Sequence, residues 1–296
     1  FYRYKMKKKV VYISRLFSGF QESINQSYWK PAGATTIFKF FEFAKDKCNL
    51  EIFFTHRDEN IDNFKIEKKR IKNFVQNSWV VYFPKKKPFF SEEINNIIRN
   101  SILFFKILRR KPKIIYATNQ NLILASLFKI FTNIPVVLRV MGIFDVMREK
   151  KNFKDRIFQL FYKVNFNLVV ITEDGSGTEE WSKKYLNKNT KKLILINGVD
   201  NIKKKSNKKK FKSDILFVGR LEDGKGIIKF IENIIYLNKK KKIKVIIIGS
   251  GPRKQITENL LKKNNINYKI LENVHHKLIF NYYRNTKIYV SLNARG

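Results

Sequence analysis

Short β-branched runs alternating with longer stretches of helical period set the strongest limit on how this 296-residue chain can fold. Apolar runs fall at 10–13, 52–54, 79–83, 114–116, 136–139 and 168–171, with a weaker one at 193–196. Strands that read as continuous apolar runs are buried on both faces, the pattern of a parallel sheet covered by crossover helices. Between them, 35–44 and 94–108 carry apolar residues at helical spacing. The rhythm resumes after residue 212: strand 214–218, helix 226–238, strand 243–248, helix 253–263, strand 268–271, helix 276–284 and strand 288–292. Separating the two sets, 201–212 (NIKKKSNKKKFK) is polar and lysine-dense and reads as a linker. The sequence predicts two Rossmann-like α/β domains, 1–200 and 213–296.

Charge narrows the partners. Lys+Arg of 62 against Asp+Glu of 24 leaves a net charge of +38, which favours anionic partners such as nucleic acid, acidic lipid or a phosphorylated substrate. The bland alternative is compositional drift, since many lysines sit beside Asn, Ile, Phe and Tyr. The clusters 7–9, 109–113 and 239–242 each precede a strand, placing them opposite the sheet edge where α/β proteins bind ligands. No zinc-finger spacing and no basic–aromatic interleaving is present, so specific nucleic-acid binding is not expected. The single cysteine, Cys48, excludes an intrachain disulfide. No apolar run reaches the roughly 20 residues of a spanning helix.

The chemistry concentrates at strand ends. In 218–226 (VGRLEDGKG) a strand runs into Gly219 and Arg220, and Lys225 and Gly226 are expected to open the next helix. A pyrophosphate there would meet free helix-start N–H groups, the donor fork of Arg220 and the mobile charge of Lys225. The bland alternative makes Arg220 a local cap and Lys225 one surface lysine among many. The turn 249–252 (GSGP) follows the next strand, and a simple tight turn explains it equally well. The chain has no G-x-G-x-x-G fingerprint and no P-loop, which disfavours an NAD enzyme and a P-loop ATPase. His56, His275 and His276 are the only histidines and form no metal-ligand spacing.

In combination these residues resemble the retaining, nucleotide-sugar-dependent glycosyltransferases of family 4, which have the GT-B fold. The matching parts are 31–35 (PAGAT), 169–173 (VVITE), 197–200 (NGVD), 218–226, 249–252 and 289–292 (YVSL). The resemblance implies two Rossmann-like domains facing across a cleft. It also implies transfer of a hexosyl unit from a nucleotide-diphosphate sugar to a glycan or lipid-linked acceptor, in surface polysaccharide synthesis, without metal or cofactor. Arg220 and Lys225 would carry the catalytic charge stabilisation. The donor would be bound by Gly33, Gly219, Arg220, Lys225, Gly226, Gly249 and Gly251. Asn119, Gly142, Asp145, Thr172 and Glu173, all after strands, are candidates for the acceptor side.

Two departures qualify the match. The segment 139–147 (RVMGIFDVM) has no histidine where many family members carry one against the transferred sugar. The family's loop with two glutamates is expected where the chain ends, and 291–296 (SLNARG) has none. The second domain is therefore expected to be truncated, which raises an alternative: an inactive fragment that only binds a nucleotide sugar or a membrane surface. The expected location is cytoplasmic, peripheral at an anionic inner membrane face. The motivating stretch is 102–110 (ILFFKILRR), where apolar and basic residues share one helix.

Overall fold

The computed structural model describes residues 7–29, 35–58, 64–74, 76–84, 92–141, 153–173, 177–196, 198, 212–272, 274 and 276–292. Two compact units emerge, Phe1–Val199 and Asp200–Gly296. Gly33, Gly142 and Asp145 lie outside the described residues, as does most of 201–212.

The first unit is an eight-stranded sheet. Its strands are β1 (Lys9–Arg15), β2 (Asn49–Asp58), β3 (Lys65–Lys69), β4 (Asn77–Pro84), β5 (Ile114–Thr118), β6 (Val136–Val140), β7 (Leu168–Glu173) and β8 (Lys192–Ile196). Their order across the sheet is β3-β4-β2-β1-β5-β6-β7-β8. All neighbours run parallel except β3, which pairs antiparallel with β4. Its sequence, KIEKK, is half-exposed and charged, as suits an edge that must not recruit another strand.

Both faces of this sheet are covered, and side chains alternate between two cores. Val11, Ile13, Phe53 and Val81 face one core with α3 (Glu92–Leu108), α4 (Leu122–Phe131), α5 (Phe153–Tyr162) and α6 (Thr178–Tyr185). Val10, Tyr12, Ile52, Phe54 and Val80 face the other, with α1 (Ser18–Asn25) and α2 (Thr35–Lys47). The second core is aromatic: Phe20 and Phe54 have ring centroids 4.1 Å apart, and Phe41 meets Tyr12 edge-on at 5.0 Å. Such contacts add to the area-based gain from burying each ring.

The second unit has four parallel strands, β9 (Ser213–Val218), β10 (Lys244–Ile248), β11 (Asn267–Leu271) and β12 (Thr286–Val290), in the order β11-β10-β9-β12. Helices α7 (Ile227–Lys240), α8 (Lys254–Lys263) and α9 (His276–Arg284) connect them. Near the strand starts, Asp214 accepts from the Lys244 backbone N–H at 2.8 Å and from Lys287 Nζ at 2.6 Å, fastening β9 to β10 and β12. Those two donors hold its carboxyl below the usual range, the lysine ammonium contributing most.

On β12 two apolar side chains are exposed, Ile288 at 57% and Tyr289 at 47%. β12 borders the described sheet, and exposed apolar side chains there invite association with another copy. Ile288→Lys is expected to lower self-association, measured by light scattering, while changing unfolding stability by less than about 0.5 kcal/mol.

Candidate functional site

In a parallel sheet every connection returns over a face, so all loops that follow strands gather at one edge. Where the strand order reverses, adjacent loops leave the sheet on opposite faces and open a crevice. The reversal lies between β9 and β12 in the second unit and between β1 and β5 in the first.

At the second unit's reversal, β9 ends at Val218, and Gly219 and Arg220 follow. The loop is tied to its neighbour: Gly219 N–H donates to Ile248 O at 3.0 Å, Leu221 N–H to Ser250 O at 2.9 Å, and Arg253 N–H to Leu221 O at 2.9 Å. This approach explains the glycines of 249–252. Gly249 has φ +151, and a Cβ there would fall inside the Gly219 carbonyl oxygen. A Cβ on Gly251 would come within 2.6 Å of Leu221 O. The turn is demanded by backbone contact between two loops.

The helix does not open at Lys225, as the spacing predicts. A 3-10 turn, Asp223–Lys225, intervenes, and Gly226 takes the left-handed conformation (φ 68, ψ 23) as the N-cap of α7. A Cβ on Gly226 would sit 2.5 Å from Leu292 O, so the head of α7 presses on the chain leaving β12. The helix starts at the crevice, and its first N–H groups have no intrahelical acceptors. A 14-residue helix ending here presents partial positive charge to an anion.

Arg220 is exposed, at 73% of its side-chain surface, and pairs with Glu222 Oε1 at 2.9 Å. Lys225 is half-buried within the 3-10 turn. Sequence reading missed Arg253, whose guanidinium holds Asp223 with two bonds, Nε to Oδ1 at 2.9 Å and Nη2 to Oδ2 at 2.7 Å. That fork pins the 3-10 turn to the start of α8 and keeps the Asp223 carboxyl below its usual range. Arg220, Lys225, Gly226, Gly249 and Gly251 thus belong to one linked set of loops. A cavity of about 380 Å³ in this unit, lined by Lys212, Lys244 and Lys269, lies at the opposite edge, near the strand starts.

The first unit has a cavity on each face of β1 and β5. One, of about 370 Å³, is lined by Arg15, Thr55, His56, Arg99, Gln120 and Asn121, with Phe83, Ile123 and Phe158 among its apolar walls. The other, of about 230 Å³, lies beside α2 and includes Tyr12, Tyr116, Arg139 and Met141. Burial raises both tyrosine hydroxyls, and Arg139 opposes that shift in each.

The acceptor-side candidates separate. Asn119 opens the 3-10 turn Asn119–Asn121 that follows β5, and its amide bonds the Tyr162 hydroxyl, which burial pushes up to about 12. Thr172 is buried and already engaged, its hydroxyl accepting from Arg139 Nη2 at 2.7 Å and its carbonyl accepting from the Thr178 hydroxyl. Glu173 ends β7. Arg15, His56 and Arg99 escaped sequence reading because β1, β2 and α3 bring them together from distant positions. Among the described residues no group of three or more His, Cys, Asp or Glu side chains could hold a metal ion.

Residues 198–294 match the family described as glycosyl transferases group 1. No curated protein matches the chain in sequence. In structure, it resembles the sucrose-phosphate synthase tll1590 from Thermosynechococcus elongatus, with TM-score 0.60 and 12% identity over 96% of this chain and 75% of that one. It also resembles trehalose-6-phosphate from E. coli bound with UDP-2-fluoro glucose, with TM-score 0.63 and 12% identity over 97% and 78%. A third likeness is to the lipopolysaccharide outer core galactosyltransferase WaaB, with TM-score 0.55 and 14% identity over 97% and 74%. The fold is accordingly of the GT-B type, with two Rossmann-like α/β units.

Gly249→Ala tests the loop contact. A methyl group has no space beside the Gly219 carbonyl, and φ +151 is strained for any side chain. Expected is a loss of about 3 kcal/mol or more in urea unfolding of the second unit, against about 1 kcal/mol for a typical substitution.

Proposed function

We propose that the chain is a glycosyltransferase that moves a hexosyl unit from a nucleotide-diphosphate sugar to a glycan or lipid-linked acceptor, with retention of configuration, in surface polysaccharide synthesis. The observation that carries the reading is the strand-end loop set of the second unit, which lies inside the residues matching group 1 glycosyl transferases. There an arginine, a lysine and a helix start occupy a strand-order reversal.

In this reading the diphosphate lies over the head of α7. Breaking the bond between the sugar and the distal phosphate leaves negative charge on the nucleotide. Arg220, Lys225 and the α7 N–H groups stabilise that charge as it grows, so they act more strongly on the transition state than on the bound donor. Donor entry competes with Glu222 for Arg220, exchanging an exposed ion pair of small worth for contacts to two phosphates. The strand ends of the first unit take the acceptor. Such chemistry needs no metal where fixed cations already meet the leaving group.

Calorimetry with nucleoside diphosphates and their monophosphates tests the donor site. Arg220→Ala is expected to weaken diphosphate binding by about 1–2 kcal/mol, roughly five- to thirtyfold, the low end of a charge-pair loss because the side chain is exposed. Lys263→Ala, at the far end of α8, should leave it unchanged. Equal binding of diphosphate and monophosphate, indifferent to Arg220, would refute this assignment. Donor binding without any transfer or hydrolysis would favour the binding-module alternative.

The same reading places the protein at the cytoplasmic face of an anionic membrane. Helix α3 buries Leu103, Phe104 and Ile107 against its own sheet, yet Ile98, Ile102 and Phe105 remain exposed, Phe105 at 60%. Lys106 lies in the last turn of the helix, and Arg109 and Arg110 follow it. An apolar stripe with cations at its end suits an anionic interface. Among the described residues no helix is long and apolar enough to cross a membrane. Flotation with anionic vesicles is expected to exceed that with neutral ones, and Ile98→Ser with Phe105→Ser to reduce it. Equal flotation with both lipids would remove the membrane assignment.

A further inference from the structure

We infer that the 370 Å³ cavity at the reversal between β1 and β5 binds a phosphomonoester, and that this group anchors the acceptor. Its role as acceptor anchor rests on the transferase reading above; the anion site itself stands on four observations independent of it.

First, the charge in the cavity has one sign. Arg15 from the end of β1 and Arg99 from α3 converge there, and among the described residues no Asp or Glu lines it. Second, α4 begins at the cavity wall. Asn121 is its N-cap, makes no side-chain cap bond, and is followed by Ile123, also in the wall. The positive end of a ten-residue helix therefore adds to the field of the arginines.

Third, the polar groups at this end of β5 are unevenly satisfied. The Thr55 hydroxyl, with a single proton to donate, lies 3.1 Å from Asn121 Oδ1 and 3.3 Å from the Ser14 carbonyl, so it can satisfy only one of them. Asn121 is 5% exposed, and its Nδ2 is buried without a partner among the described residues. Thr118 Oγ1 and Asn119 Oδ1, at the same end of β5, are likewise buried without a partner among the described residues. Fourth, one arginine is held in place: the Arg99 guanidinium lies 5.8 Å from the centre of the Phe83 ring, which also lines the cavity.

Two guanidinium groups arriving from β1 and α3 beside the start of α4 suit a tetrahedral oxyanion better than a planar carboxylate, which one guanidinium fork can satisfy alone. A cation would meet like charge. The volume lies within the roughly 300–1,000 Å³ of small-molecule sites, and Phe83, Ile123 and Phe158 offer apolar wall to the body of the ligand. An acceptor carrying a phosphomonoester fits these terms, whether a soluble sugar phosphate or a lipid bearing a terminal phosphate.

The test uses glycerol 1-phosphate as the free probe and vesicles containing phosphatidic acid as the lipid probe, at about 0.15 M salt where long-range attraction to the basic surface is screened. Neutral glycerol is the control. Glycerol 1-phosphate is expected to bind, with Arg15→Gln/Arg99→Gln weakening it about tenfold or more. Lys239→Ala/Lys242→Ala, which removes the same charge elsewhere, is expected to have no effect. Binding confined to the vesicles, and lost in the arginine variant, assigns the site to a lipid headgroup. Should the arginine variant fold poorly, phenylglyoxal labelling of the unaltered chain gives the same answer, with glycerol 1-phosphate expected to protect Arg15 and Arg99. Phosphate binding indifferent to both arginines, or labelling of both that the phosphate does not slow, overturns the site. If nucleoside diphosphates fail to bind while the phosphomonoester binds through Arg15 and Arg99, the donor reading falls and the anion site stands.

Discussion

Two parallel neighbouring strands cannot be joined by a tight turn, so nearly every connection in both units must cross a face of its sheet before the next strand begins. From that single requirement come the covered faces, the continuous apolar strands and the gathering of strand-end loops at one edge. It also dictates where ligands can enter. A sheet whose strands were added in one direction would have no gap at that edge. Here β1 and β9 each have later strands on both sides, and each therefore borders a crevice. Arg15 and Arg220 end up in equivalent places because each stands at the end of, or just beyond, the first strand of its unit.

The same geometry gives part of the basicity a structural role. Crossover helices run antiparallel to the strands, so their C-termini collect at the edge opposite the crevices. Lysines occupy the last turns of α2, α4, α6, α7 and α8. There they face the negative ends of the helix dipoles, each interaction being worth roughly 0.3–1 kcal/mol at low salt. These lysines therefore sit where they stabilise helices. The arginines at the crevices are distinct from this background because they stand at the ligand edge with helix N-termini.

Much of this architecture was legible from residue order. Each predicted strand run falls within or across an observed strand, because strands buried on both faces, such as β1 and β2, leave an unbroken apolar signature. β8 and β12 share that signature although several of their apolar residues stay exposed. The charged edge strand β3 gave no such run, and α4 escaped because LILASLFKIF is apolar nearly all round and shows no period. In the second unit the strand–glycine–arginine sequence located a loop, but not the reason for the later glycines. That reason is a contact with the carbonyl of Gly219, thirty positions away in the chain, and distance in sequence hides it. The Asp223–Arg253 fork was invisible on the same ground. The cavity at β1 was beyond reach altogether, since its walls come from three strands, a turn and three helices.

The contact between Gly226 and Leu292 has a kinetic meaning. Leu292 follows the strand that pairs last in chain order, whereas Gly226 follows the one that pairs first. Long-range closure is the slow part of forming a sheet, because the entropy of the intervening chain must be lost before any contact rewards it. The head of α7 is therefore shaped late, after β10, β11 and β9 already have partners. A ligand that recognises only the finished loop would bind the sheet with β12 paired and not without it. It would slow opening of β12 in proportion to its occupancy, and so act as a clasp on that strand.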